Sequence, residues 1–121
     1  MNFTDSNGNK IAWPVIADGE TYGAGSKYLI FAAGDQPIAK FTNPGVTDGS
    51  VAIVVKESFG NCFAPFLVDH YQYVYVIDYR YFDGDLTEFV TEKGAGAVIF
   101  LNNITATSAA PRIGEMEELV N

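Results

Sequence analysis

The chain has 121 residues and a formal charge of -8, from fifteen acidic and seven basic side chains. That length holds one core, which excludes an enzyme built from separate cofactor and substrate domains. A hydrophobic share of 48%, with 14% aromatic and 18% charged residues, offsets chain entropy and excludes disorder, while the acidic field, with no Lys/Arg cluster, repels nucleic acid and anionic lipid.

The segment 1–27 reads as irregular or edge structure. Its turn formers Asn7-Gly8-Asn9, Asp18-Gly19-Glu20 and Gly23-Ala24-Gly25 separate only a few apolar anchors: Ile11, Trp13, Val15 and Ile16. Tyr28 to Ala32 is a β-prone run, and after the Gly34-Asp35-Gln36-Pro37 turn Ile38 to Phe41 alternates with a period of two. The pair predicts a β-hairpin.

From Val51 the pattern changes. Val51 to Val55 is a continuous apolar run of the kind found in strands buried on both faces of a parallel sheet. Phe59, Cys62, Phe63, Phe66 and Leu67 then recur at helical spacing, with Pro65 forcing either a kink or a fresh start. Tyr73 to Ile77 predicts a second buried strand. Tyr71, Tyr73, Tyr75, Tyr79 and Tyr81 recur at period two, which places them on one face, where cross-strand packing is favoured over a carbohydrate platform.

Asp85 and Glu88 form a capping-box-like pair before a helix that Gly94 ends. Ala97 to Leu101 is a third apolar run, followed by Asn102-Asn103, and Pro111 opens a last helix with Ile113, Met116 and Val120 inward. The order predicts an α/β fold: a three-layer α/β/α, flavodoxin-like or SGNH-like partial sheet, its parallel β-α-β-α-β-α unit preceded by the hairpin.

Ligands of open α/β sheets collect beyond the carboxyl ends of the strands. Here those ends are Lys56 to Asn61, Asp78-Tyr79-Arg80 and Asn102-Asn103. Ser58 follows the first strand and precedes a helical segment, a geometry in which a hydroxyl projects at the sheet top and the amides of the next turn face an anion. A serine there is either a nucleophile or simply a helix cap. Asn102 or Asn103 either offers a carboxamide to an oxyanion or satisfies its own turn. Arg80 beside Asp78 reads as an ion pair rather than an anion clamp.

One cysteine, Cys62, and one histidine, His70, allow no internal disulfide and no zinc site of their own. Cys62 on the apolar stripe reads as a small buried filler, and His70 as a cation near a helix C-terminus. No phosphate loop follows the first strand, so no cofactor is implied and a flavodoxin-like or receiver function is disfavoured. No apolar run approaches the ~20 residues that cross a bilayer, and Met1 to Ser6 has no features of a secretory signal.

The segments Val54 to Leu67, containing Lys56-Glu57-Ser58-Phe59-Gly60-Asn61 and Pro65-Phe66-Leu67, then His70-Tyr71, Val76 to Phe82 and Ile99 to Asn103, resemble the C-terminal part of the bacterial DHHW proteins. These are relatives of the SGNH hydrolases and of the acetyltransferases that modify alginate. The resemblance covers about residues 22 to 121. It departs mildly where Glu57 stands for the family's usual Asp and Cys62 for a small residue.

The resemblance implies that 1–121 is one domain, the C-terminal portion of a larger SGNH-like carbohydrate esterase or O-acyltransferase fold. It implies that Ser58 occupies the nucleophile position, with Gly60 beside it, Asn102 or Asn103 at the oxyanion hole, and Asn61, Asp78 and Arg80 for substrate. The partner would be a carbohydrate or acyl ester, and the setting extracytoplasmic or at the bacterial cell surface in a longer parent. The family's Asp and His partners belong to its name-giving motif upstream of the serine. No histidine precedes Ser58 here, so the chain is expected to be inactive alone. His70 lies twelve residues further on, toward the opposite edge of the sheet. The alternative is a non-catalytic glycan-binding or assembly module, and an exposed sheet edge would favour self-association.

Overall fold

The computed structural model describes residues 1–4 and 7–120. Its strands are β1 (Asn2–Thr4), β2 (Lys10–Ala12), β3 (Ile38–Thr42), β4 (Val51–Lys56), β5 (Tyr73–Asp78) and β6 (Ala97–Leu101), in one sheet of order β2-β1-β3-β5-β4-β6. β4 runs parallel to β5 and β6, whereas β3 is antiparallel to β5 and to β1. A parallel half is thus joined to an antiparallel half along β5.

The two apolar runs read as buried strands hold the centre. All six residues of β4 are buried, and Val74, Val76 and Ile77 of β5 are at most 1% exposed. At roughly 1.5–3 kcal/mol per fully buried aliphatic side chain, these two strands supply much of the drive to fold. Alternation sends Val54, Val74 and Val76 with Ala39 and Phe41 to one face, and Ile53, Val55 and Ile77 to the other.

The crossover from β4 to β5 carries the 3-10 segments η2 (Ser58–Cys62) and η3 (Ala64–Leu67), packed on the first face. The crossover from β5 back past β4 to β6 carries α1 (Leu86–Lys93) on the second face, where the last helix, α3 (Ala110–Glu118), joins it. Crossovers of one hand that run in opposite directions must lie on opposite faces, so the sheet becomes the middle of three layers. Asp85 Oδ1 accepts the Glu88 amide at 2.8 Å, and Gly94 closes α1 at φ 61°, as the capping pattern predicts.

Several expectations are corrected. The hairpin of Tyr28 to Ala32 with Ile38 to Phe41 does not form. Residues Ala24–Ile30 wind as the 3-10 segment η1, and Ala32, Ala33 and Gly34 then take left-handed φ of 53°, 62° and 75°, which turns the chain out of any strand. β3 pairs instead with β1 and β5, the hairpin at the start of the chain is β1–β2, and β2 is a sheet edge.

The apolar stripe is not a buried helical face. With three residues per turn, i and i+3 eclipse in a 3-10 segment. Asn61 and Ala64 therefore turn inward, while Phe59 and Phe66 are 68% and 74% exposed and Cys62 is exposed rather than a buried filler. Of the five period-two tyrosines, only Tyr73 and Tyr75 lie in β5, where Lys40 Nζ sits over both rings at 4.4 and 5.4 Å. Tyr71 packs against the first face, Tyr79 in the second and Tyr81 is exposed, because the alternation ends with the strand.

β6 pairs only with β4, so it is an edge strand with Val98 and Phe100 exposed, not a third fully buried run. Met116 of α3 and Leu119, its C-cap, face inward at a spacing of three, while Ile113 and Val120 are 39% and 50% exposed. No helix among the described residues is long and apolar enough to cross a membrane.

Candidate functional site

The carboxyl ends of β4 and β5 meet the turn between η1 and β3, and charged side chains converge there. Lys56 ends β4 and is 0% exposed. Burying an ammonium demands partners, and it finds three acceptors: Asp78 Oδ2 at 2.7 Å, Asp35 Oδ1 at 3.4 Å and the Gly34 carbonyl at 3.5 Å. Asp78, which ends β5 and is also 0% exposed, accepts Arg80 Nε at 2.8 Å and Nη2 at 2.6 Å. The Arg80 Nη2 also reaches Asp35 Oδ2 at 3.2 Å. Two cations face two anions, and the cluster is neutral overall.

Ser58 Oγ donates to Asp35 Oδ2 at 3.0 Å, and Asn61 Nδ2 donates to Asp35 Oδ1 at 2.9 Å. Serine 58 is therefore not the helix cap. That role falls to Glu57, whose Oε2 accepts the Phe59 amide at 3.2 Å and whose Oε1 accepts the Asn103 amide at 3.0 Å, tying β4 to the end of β6. The Phe59 amide is thus spent on the Glu57 carboxylate, and the Gly60 amide on the Glu57 carbonyl at 2.9 Å, so neither of these two amides is free to meet a substrate anion.

Burial alone would push the Asp35 carboxyl up. The hydrogen bond from Asn61, the charges of Lys56 and Arg80 and the hydrogen bond from Ser58 outweigh it and hold the group below its ordinary value of 3.8. Asp35 is therefore ionised at neutral pH. It orients the Ser58 hydroxyl well but is a weak proton acceptor. A depressed carboxylate contributes stability that is present above its unfolded value and lost as pH falls through its folded one. The urea midpoint is expected to fall once pH drops below 3.8. Asp35→Asn should make that decline shallower, with a residue left by Asp48, which hydrogen bonds from Ser50 also hold low. An unchanged slope would show that Asp35 is not ion-paired in solution.

The structure brings together Ser58, Gly60, Asn61, Asp78 and Arg80 of the residues singled out from the sequence. Asn61 and Asp78 are fully buried, so any part they play in binding passes through Asp35, Lys56 and Arg80. Asn102 and Asn103 are engaged elsewhere. Asn103 Oδ1 caps the short helix α2 (Ile104–Thr107), accepting the Thr105 and Ala106 amides at 2.7 and 3.0 Å, and Asn102 Nδ2 points to Met116 Sδ at 3.1 Å.

His70 is exposed and precedes β5, whereas Ser58 follows β4. Because Val51 stands opposite Tyr73 in parallel register, the two lie at opposite ends of strands about 20 Å long. Among the described residues no group of three His, Cys, Asp or Glu is arranged to hold a metal.

Asp35, Lys56 and Glu57 escaped the sequence reading as functional residues. The one signal in the sequence was Lys56, a charged residue extending an otherwise apolar strand; Asp35 reads there only as a turn acid, and the left-handed residues before it show only in the structure. Several clefts border the cluster: one of about 620 Å³ is lined by Asp35 with Pro37, Ile38, Tyr81 and Phe82, and one of about 420 Å³ by Arg80 with Tyr79, Asp83 and Glu115. Ser58 lines another of about 360 Å³ with Tyr28, Phe59 and Cys62, and a further one, of about 290 Å³, is polar, with Glu57, Arg80, Asn103, Thr105 and Arg112.

The family model described as DHHW protein matches residues 2–77. A DHHW family protein from Eubacterium siraeum superposes with a TM-score of 0.80 at 26% identity, over 99% of this chain and 39% of its own. The likeness therefore extends to the N-terminal segment and is not confined to 22–121. Bacillus cereus PatB1 is similar at a TM-score of 0.73 and 19% identity, over 92% of this chain and 37% of its own, and a PatB1 structure with a sulfonyl adduct at 0.72. The chain thus spans less than two fifths of these structures. A search of curated proteins finds no match.

Proposed function

The chain belongs to the DHHW family, and from that premise we propose that it is the C-terminal portion of a larger SGNH-like O-acyltransferase or carbohydrate esterase fold. In this reading it contributes the nucleophile side of a split site, with Ser58 as nucleophile and Asp35 as the residue that positions it. The observation that carries the reading is the 3.0 Å hydrogen bond from Ser58 Oγ, at the carboxyl end of a central parallel strand, to a carboxylate held ionised by two cations. Family membership supports the acyl-transfer class through the resemblance of DHHW proteins to SGNH hydrolases and acetyltransferases, and the PatB1 likeness supports the fold. Asp35 lies too low to drive deprotonation, and the single histidine sits at the far end of the sheet, so an external base must take the hydroxyl proton.

Two outcomes are expected with p-nitrophenyl acetate. The chain alone gives no turnover that Ser58→Ala abolishes, because the general base worth about 10²–10⁴ in rate is missing. Added imidazole gives acetylation at Ser58, read as one acetyl group by intact mass and absent in Ser58→Ala. Robust Ser58-dependent turnover without imidazole would overturn the claim of a missing base. Failure of imidazole to yield any Ser58 adduct would overturn the nucleophile assignment.

A further inference from the structure

We infer that the cleft walled by Tyr28, Phe59 and Cys62 beside Ser58 is an acyl subsite, shaped for an aromatic or medium-chain acyl group rather than for acetyl. This rests on the reading of Ser58 as nucleophile. Lys56, Asp78, Arg80 and Asp35 crowd behind Ser58, yet none of them lines this cleft, whose described walls are Tyr28, Ser58, Phe59 and Cys62. The polar cleft is lined by Glu57, Arg80, Asn103 and Arg112 instead. An ester carbonyl at Ser58 Oγ would thus meet an apolar wall on one side and charged groups on the other.

The walls are not incidental core surface. The 3-10 geometry of η2 eclipses Phe59 and Cys62 and turns both outward, leaving Phe59 68% exposed, and Tyr28 of η1 is 41% exposed beside them. At about 360 Å³ the cleft falls within the range of small-molecule sites and exceeds the needs of a two-carbon group.

The test combines a binding series with a labelling series on the intact chain. Ethyl acetate, ethyl butyrate and ethyl hexanoate are titrated and followed by amide NMR. Shifts at Tyr28, Phe59 and Cys62 are expected, with the dissociation constant falling about two- to fourfold per added methylene, as for apolar surface leaving water. Phe59→Ala, a change at an exposed position, should flatten that dependence. No shifts at these residues, or an affinity indifferent to chain length, overturns the subsite whatever Ser58 does.

Ser58 itself is read with methanesulfonyl and hexanesulfonyl fluoride in imidazole buffer, where Oγ attacks sulfur, fluoride leaves and the hydroxyl proton passes to the buffer. Faster labelling by the longer reagent supports the subsite and equal rates count against it. Labelling of neither at Ser58, with the ester series intact, would sink the nucleophile assignment and leave an apolar ligand cleft standing.

Discussion

Asp78→Asn lowers the free energy of unfolding by about 3–5 kcal/mol, the loss expected when one partner of a buried ion pair is removed. The substitution keeps the shape of the side chain and deletes only its charge. Lys56, 0% exposed, is then left with Asp35 at 3.4 Å and one carbonyl at 3.5 Å, and Arg80 loses the carboxylate that its Nε and Nη2 grip at 2.8 and 2.6 Å. For a domain whose stability lies at roughly 5–15 kcal/mol, this removes a third or more. Lys56→Met on its own is expected to lose a similar amount. The double variant, which deletes cation and anion together and leaves Arg80 with Asp35, should recover at least about 1 kcal/mol over the sum of the singles. Urea unfolding at neutral pH measures all three. Losses that simply add would show that Lys56 and Asp78 are not coupled and that the cluster is not what holds the strand ends together.

That cluster also marks the limit of what the amino-acid pattern discloses. Val51 to Val55 and Tyr73 to Ile77 were legible because a strand covered on both faces must be apolar throughout. Asp85 and Gly94 were legible because caps act within a few residues of themselves. The pairing of β5 between β4 and β3 joins segments more than thirty residues apart along the chain in the case of Ile38 with Ile77, and no local rule carries it. The same holds for Asp35, 23 residues from Ser58, which reads locally as nothing more than a turn acid. Lys56 was hidden differently. A lysine at a strand end normally reads as the first solvated residue, and only the two carboxylates brought by distant segments make its burial possible. The stripe from Phe59 to Leu67 misled because its spacing was read at 3.6 residues per turn, while Pro65 and the tight η2 turn impose 3.0.

Gly60→Ala is the second large effect, and it couples the fold to the nucleophile position. The glycine is buried, and its φ lies outside the left-handed region, so the backbone itself would accept a side chain. Space forbids it. A methyl group there would stand 2.4 Å from Lys56 Cβ and 2.9 Å from Cγ, well inside contact distance. The lysine stem has no slack, since its ammonium is anchored at 2.7 Å on Asp78 and its backbone is central in the sheet. The strain must therefore be released by η2, which carries Ser58 and Asn61 away from Asp35. Overpacking of this kind costs about 1–3 kcal/mol, measurable by urea unfolding. Loss of the Ser58 and Asn61 hydrogen bonds should at the same time return the Asp35 carboxyl toward its ordinary value, because two of the four influences that hold it down come from those residues. Carboxyl NMR against pH reads this directly. A Gly60→Ala protein of native stability, with Asp35 still depressed, would show that η2 has room the structure does not give it, and the placement of Ser58 on Asp35 would have to be reconsidered.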